Sequence, residues 1–398
     1  MNRKIIRQYY ILSCLFDAGG MAIISAIYVA FLINNGLNLF ETNMVNVAFF
    51  LTLFVCEIPT GAFADIFGRK TSFVLACGLM CVSMFIYGYS RTFWGFVIAE
   101  VVAAIGSTFK SGAFQAWMVD SLKHHGYEGS CTQIFARERL IRQIGGGIGA
   151  VTGSYLMAVD QSLPWFFGAS ILGITTIVAW TTMEEEYFVK TAFSWGKGWA
   201  SMKSVAVSSI HYGMDHKAVR FVLIITAIQI FAVQALNMYW QPFFKDHGLK
   251  DKHLGFMFVA MMCMLAIGAF IASKLNSQEN ERRIIIRTQI MVGIIIVAAA
   301  LVPGLPFIAV LFLLHEVPRG CWSPMIDGYL QHRIPSYERA TITSFCSIAP
   351  HIGGVVGLIV SGVIAQFYGI ATAWIFSGIV LVGGALLVAR NGGSNNPK

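Results

Sequence analysis

Twelve apolar runs alternate with polar joints along the chain. They cover residues 9–33, 43–64, 72–89, 93–122, 134–159, 164–182, 219–244, 253–275, 284–302, 307–330, 340–367 and 370–389. A helix rises about 1.5 Å per residue, so about 20 apolar residues cross a bilayer. Each run is therefore read as a membrane helix. Most joints are short. The exception, residues 183–218, holds Glu184-Glu185-Glu186, scattered lysines, Trp195 and Trp199, and separates six runs from six. The pattern predicts an all-α polytopic membrane protein with twelve transmembrane helices. Residues 1–182 form one six-helix bundle and 219–398 a second bundle with a polar tail. The linker 183–218 is either a partly amphipathic helix at the membrane surface or a tether.

The halves echo each other. Gly61-Ala62-Phe63 recurs as Gly268-Ala269-Phe270, Asp120 as Asp327, and Gly145, Gly146 and Gly149 as Gly353, Gly354 and Gly357. Repeated matches in one frame point to duplication, hence to two pseudo-symmetric bundles. Gly145, Gly149 and Gly153 form a stripe spaced by four in the fifth run, and Gly353 and Gly357 do so in the eleventh. Such stripes let helices pack closely and slide.

Composition agrees with a membrane class. Hydrophobic residues make up 56% of the 398 residues and charged ones 12%, about half the soluble share, and mean hydropathy is +0.67. A net charge of +8 would suggest nucleic acid in a soluble chain. Here topology accounts for it: of the cations in the joints, only Arg91, Lys245, Lys250 and Lys252 fall on the outer side, so both termini are expected in the cytoplasm. The eight cysteines lie mostly in apolar runs and form no CxxC pair. No GxxxxGK[ST], HExxH or GxSxG occurs, so neither an ATP-driven engine nor a hydrolase is expected.

Ionisable groups in lipid are costly, which makes each one a candidate for function. Asp17 lies about 12 Å into the first run, counting from its basic end. Lys110 in the fourth run lies at a similar depth. The two can form a permanent structural pair, or one that opens when Asp17 takes up a proton. Glu100 also lies in the fourth run. The tenth run holds His315, Glu316 and Arg319 around Pro318, with Glu316 and Arg319 at the i,i+3 spacing of a pair. His351 follows Pro350 in the eleventh. These histidines can titrate or simply pack. Histidine and glutamate also suit a metal, but no ligand spacing directs one, and none is expected. Gln229, Gln234, Asn237 and Trp240 line the seventh run. This stripe either bonds neighbouring helices or meets an amphipathic organic ligand.

The joint between the second and third runs reads Gly61-Ala62-Phe63-Ala64-Asp65-Ile66-Phe67-Gly68-Arg69-Lys70. Gly68 suits a sharp reversal, and Gly61 a close backbone approach. This decamer resembles the loop between helices 2 and 3 of the major facilitator superfamily, G-x-x-x-D-x-x-G-R-K. Ile66 stands where members often carry Arg. The resemblance implies a conformational latch between inward- and outward-open states, built here from Gly61, Asp65, Gly68, Arg69 and Lys70. Asp120, Arg137 and Arg139, close to it in topology, complete a cytoplasmic gate of salt bridges. The fifth-run stripe resembles the antiporter motif of exporters, G-x-x-x-G-P-x-x-G-G, with Ala150 in place of Pro and Ser154 in place of the last Gly. Glu57 to Gly61, Trp117 to Leu122 and Arg339-Ala340-Thr341 look like signatures of one bacterial branch.

In the family, helices 1 and 4 line a central cavity, which would place Asp17, Lys110 and Glu100 in its wall. Many proton-coupled members place Arg near Glu100. An acid there suits proton release or a cationic substrate. The resemblance thus implies a secondary active transporter working by alternating access, with Asp17 first and Glu100 second as proton carriers. Export of a drug or metabolite by antiport is expected. Proton-coupled uptake of a nutrient, siderophore-type or metal-chelating metabolite is the alternative, and a transport-fold sensor is the alternative outside transport. The expected partners are a small-molecule substrate, protons and the lipid bilayer, with no nucleic acid. No cofactor is expected beyond the proton gradient. The expected form is a monomer in a bacterial inner membrane.

Overall fold

A computed structural model describes residues 1–188, 216–275, 280–334 and 339–390, with backbone alone at Ile58 and 339–351. The centre of the predicted linker, the polar tail and the His351 side chain lie outside the described residues. Among the described residues there are fourteen α-helices and no strand. They are α1 (Asn2–Asp17), α2 (Tyr28–Asn34), α3 (Leu39–Phe67), α4 (Arg69–Tyr89), α5 (Phe93–Lys110), α6 (Ala113–His124), α7 (Cys131–Val159), α8 (Leu163–Thr182), α9 (Lys217–Asp246), α10 (Leu254–Lys274), α11 (Glu281–Leu301), α12 (Leu305–Gln331), α13 (Arg339–Tyr368) and α14 (Ile370–Arg390).

These are the twelve spans, two of them broken. The first breaks after Asp17 into a π turn, Ala18–Ala22, before α2 resumes. Packing explains the site of the break: a Cβ at Gly19 would fall 2.8 Å from the Gly168 carbonyl, and one at Gly168 would clash with the Gly19 carbonyl. The fourth span breaks at Ser111-Gly112, where Gly112 has a φ of +69° that side chains rarely adopt. Nine described segments are long and apolar enough to cross a bilayer. The first span misses that test because it is broken and basic at its start. The fifth misses it because Arg137, Glu138, Arg139 and Arg142 sit early in α7. The described apolar part of the eleventh is confined to residues 352–368.

The described chain divides into two compact units, one of residues 1–37, 45–188 and 250–259, the other of 38–44, 216–249 and 260–390. Their internal packing has one pattern. In the first unit α4 lies against α5 and α8, and in the second α11 lies against α12 and α14. Likewise α7 packs on α1 and the π turn, and α13 on α9. The glycine stripes make both of the latter contacts. Cβ atoms at Gly149 and Gly153 would strike Ala22 and the Ile23 carbonyl, and one at Gly357 would strike the Phe231 carbonyl. In lipid there is no hydrophobic drive between helices, so such close backbone contact supplies the cohesion.

Candidate functional site

The Gly68 loop is closed by a residue from far along the chain. Gly68, with φ +95°, turns α3 into α4, leaving the first amides of α4 without helical partners. The Glu185 carboxylate fills that position. One oxygen accepts from the Arg69 amide at 2.8 Å and the other from the Lys70 amide at 3.0 Å. The negative group also faces the positive end of the helix dipole. The segment carrying it is tied down on both sides of Glu185. Trp117 Nε1 donates to the Glu184 carbonyl at 2.9 Å, and the Tyr187 hydroxyl donates to the Trp117 carbonyl at 3.2 Å. Burial pushes the Tyr187 phenol above its ordinary range, so it stays a donor. The Arg69 guanidinium forms an ion pair with Asp120.

The other side chains of the expected gate differ from these in burial. Arg137 and Arg139 are exposed on α7, and Asp65 is exposed at the end of α3. At Gly61 a Cβ would meet nothing within 4 Å among the described residues, so the close approach expected there is not made by them. The stripe glycines make such contacts instead.

A second cluster surrounds Asp17. Lys110 Nζ lies 3.8 Å from its carboxylate and Arg142 3.9 Å from it. Arg142 also pairs with Glu138 at 3.0 Å, and Ser13 donates to Glu138. Lys110 sits 4.1 Å from the Phe16 ring centroid, a cation–π contact. Two acids and two bases therefore balance. At an effective dielectric near 20 each contact with Asp17 is worth about 4 kcal/mol before desolvation.

Glu100 is different. It is only 7% exposed, and among the described residues no cation pairs with it. Its carboxyl accepts from the Tyr28 hydroxyl at 2.5 Å, and Tyr87 also bonds to it. Asn46 supports Tyr28 at 3.0 Å, and Tyr87 stacks on Trp165 with centroids 4.2 Å apart. A carboxylate stripped of water costs several kcal/mol unless it is paired or protonated. This one has only neutral donors.

The second unit holds an open cavity of about 290 Å³. Gln229, Gln234, Asn237, Arg319, Trp322 and Ser323 supply its polar lining. Arg319 is fixed by Glu316 at 3.0 Å and by Asn237 Oδ1 at 2.8 Å. Glu316 and His315 are fully buried behind it, 3.5 Å apart, with His315 Nδ1 bonded to the Phe312 carbonyl. The cavity thus gathers Gln229, Gln234, Asn237 and Arg319 from the sequence candidates. Trp240 is buried away from its lining and packs on Phe244.

Several participants were not evident from the sequence. Glu185 reads as one of three linker glutamates. Tyr28 and Tyr87 read as apolar-run aromatics. Glu138 and Arg142 had a signal, an i,i+4 acid–base spacing inside an apolar run.

Comparisons with known proteins converge on one family. The profile of the Major Facilitator Superfamily matches residues 221–394. The uncharacterised MFS-type transporter YxaM of Bacillus subtilis is 21% identical over 91% of this chain and 90% of its own length. The uncharacterised MFS-type transporter MJ1560 of Methanocaldococcus jannaschii is 22% identical over 92% of each. The crystal structure of the nucleoside transporter NupG superposes with a TM-score of 0.77 over 98% of this chain and 97% of its own, at 14% identity, which speaks to the fold alone. These matches make the chain similar to transporters of the major facilitator superfamily along most of its length, and its apolar helices mark a multi-pass membrane protein.

Proposed function

We propose that this protein is a transporter of the major facilitator superfamily, proton-coupled, and that it exports a small organic molecule by alternating access, from a bacterial inner membrane with both termini in the cytoplasm. The observation that carries the coupling is Glu100. It is a buried carboxyl held by two tyrosine hydroxyls with no cation among the described residues. A group in that setting takes up and releases a proton as its surroundings open and close. Asp17 is the weaker carrier, because Lys110 and Arg142 already compensate its charge. Export draws support from the glycine stripe of α7, whose spacing resembles the antiporter motif and which packs closely on the first span. The Glu185–Arg69–Asp120 cluster serves as the inner latch, made in one state and broken in the other.

The test uses vesicles reconstituted with the purified protein and loaded with amino acids, nucleosides, organic acids and cationic dyes. The proposal expects at least one solute to leave faster when the outside is made acidic. Release that ignores the pH gradient would refute proton coupling. Release of no solute would favour the sensor reading.

A further inference from the structure

We infer that the cavity of the second unit binds the carboxylate of a small amino or hydroxy acid, with Arg319 as its anchor. This rests on the transport reading above and names the substrate class. The guanidinium carries five N–H donors, and its bonds to Glu316 and Asn237 engage two. Among the described residues nothing takes the other three, and the group lines the cavity. A planar fork of that kind matches a carboxylate. Gln229 supplies the second determinant. It is 4% exposed, lines the cavity, and its Oε1 has no hydrogen-bond partner among the described residues. A buried acceptor calls for a donor, which an amino or hydroxyl group on the ligand provides. Trp322 is the third. Its buried Nε1 also lacks a partner among the described residues and can give a further bond to the acid. Ile230, Val233 and Leu265 line the rest with apolar surface. The volume, about 290 Å³, equals roughly ten waters at about 30 Å³ each, enough for an acid with one ring.

Acidic groups point the same way. Glu316 is fully buried and bonded to Arg319, so the cavity presents the cation and hides the anion. An amine without an acid group would therefore meet the Arg319 cation, whereas an acid meets complementary charge.

Four probes that share a phenyl ring isolate the claim: phenylalanine, phenyllactate, phenylalaninamide and phenethylamine. Their affinities for the purified full-length protein are measured by calorimetry. The two acids should bind at least about tenfold more tightly than the amide and the amine. Arg319→Gln should erase that preference. Glu316→Gln removes the competing anion and should enlarge it, a gain that a damaged fold does not produce. The assignment is overturned if the amide or amine matches the acids, if Arg319→Gln leaves the preference intact, or if none of the four binds at millimolar concentration. Binding is read without flux. Acid preference in a protein with no proton-linked release would retire the coupling reading and keep this site, and proton-linked release without acid preference would do the reverse.

Discussion

Replacing Glu185 by Ala should loosen the start of α4 by an amount that the geometry sets. Two backbone amides, those of Arg69 and Lys70, lose acceptors at 2.8 and 3.0 Å. Hydrogen bonds to a charged group contribute about 1.5–3 kcal/mol each, and a charge at a helix N-terminus about 0.3–1 kcal/mol. Glu185 is partly exposed, and water screening lowers each bond to about 1 kcal/mol, so the two together stabilise the turn by about 2 kcal/mol. Each 1.4 kcal/mol is a factor of ten, so hydrogen exchange at these amides should quicken about 30-fold. Glu185→Gln keeps one neutral acceptor and should fall between. The assay is hydrogen–deuterium exchange by mass spectrometry on peptides covering residues 66–75. Exchange within about twofold of wild type in the Ala variant would refute the idea that Glu185 caps this helix.

Three further outcomes follow from other contacts. Gly153→Ala should lower the thermal midpoint by an amount corresponding to about 1–3 kcal/mol, because its Cβ strikes the Ile23 carbonyl. Gly145→Ala, whose Cβ would sit 3.7 Å from the Cys14 sulfur, should be near neutral, and equal shifts in the two melts would contradict the packing account. In the Asp17 cluster, Arg142→Gln alone should destabilise more than Arg142→Gln with Glu138→Gln, since the single change leaves an unmatched acid. Additive denaturation shifts would show that the network does not act as a unit.

The spans were legible because lipid imposes a length on apolar runs that few other constraints mimic. The Asp17–Lys110 proximity followed from depth alone, since residues at equal depth on neighbouring helices can meet. The faces were not legible. On α7, Ile148 is 65% exposed and Ala150 wholly buried, yet both are apolar, so periodicity could not say which faces protein. The break after Asp17 was hidden because Gly19 looks like any packing glycine, and only its meeting with Gly168 distinguishes it. Tyr28 was missed for a related reason. A tyrosine in an apolar run is indistinguishable from a phenylalanine until its hydroxyl finds Glu100. Glu185 was lost in a charge run whose members differ only in where the chain folds them. The cavity residues on α9 were visible as a polar stripe, but Trp322 was not, because an aromatic in an apolar run carries no mark of the face it takes.

Proton coupling through Glu100 is best tested by separating exchange from drive. Vesicles containing wild-type protein or Glu100→Gln are given a solute that the protein releases, first with labelled solute on both sides and no pH gradient, then with the outside made acidic. The account predicts that Glu100→Gln still exchanges solute for solute at a rate near wild type but gains nothing from the gradient, while Asp17→Asn retains gradient-driven release. Gradient-driven release that survives in Glu100→Gln would contradict it.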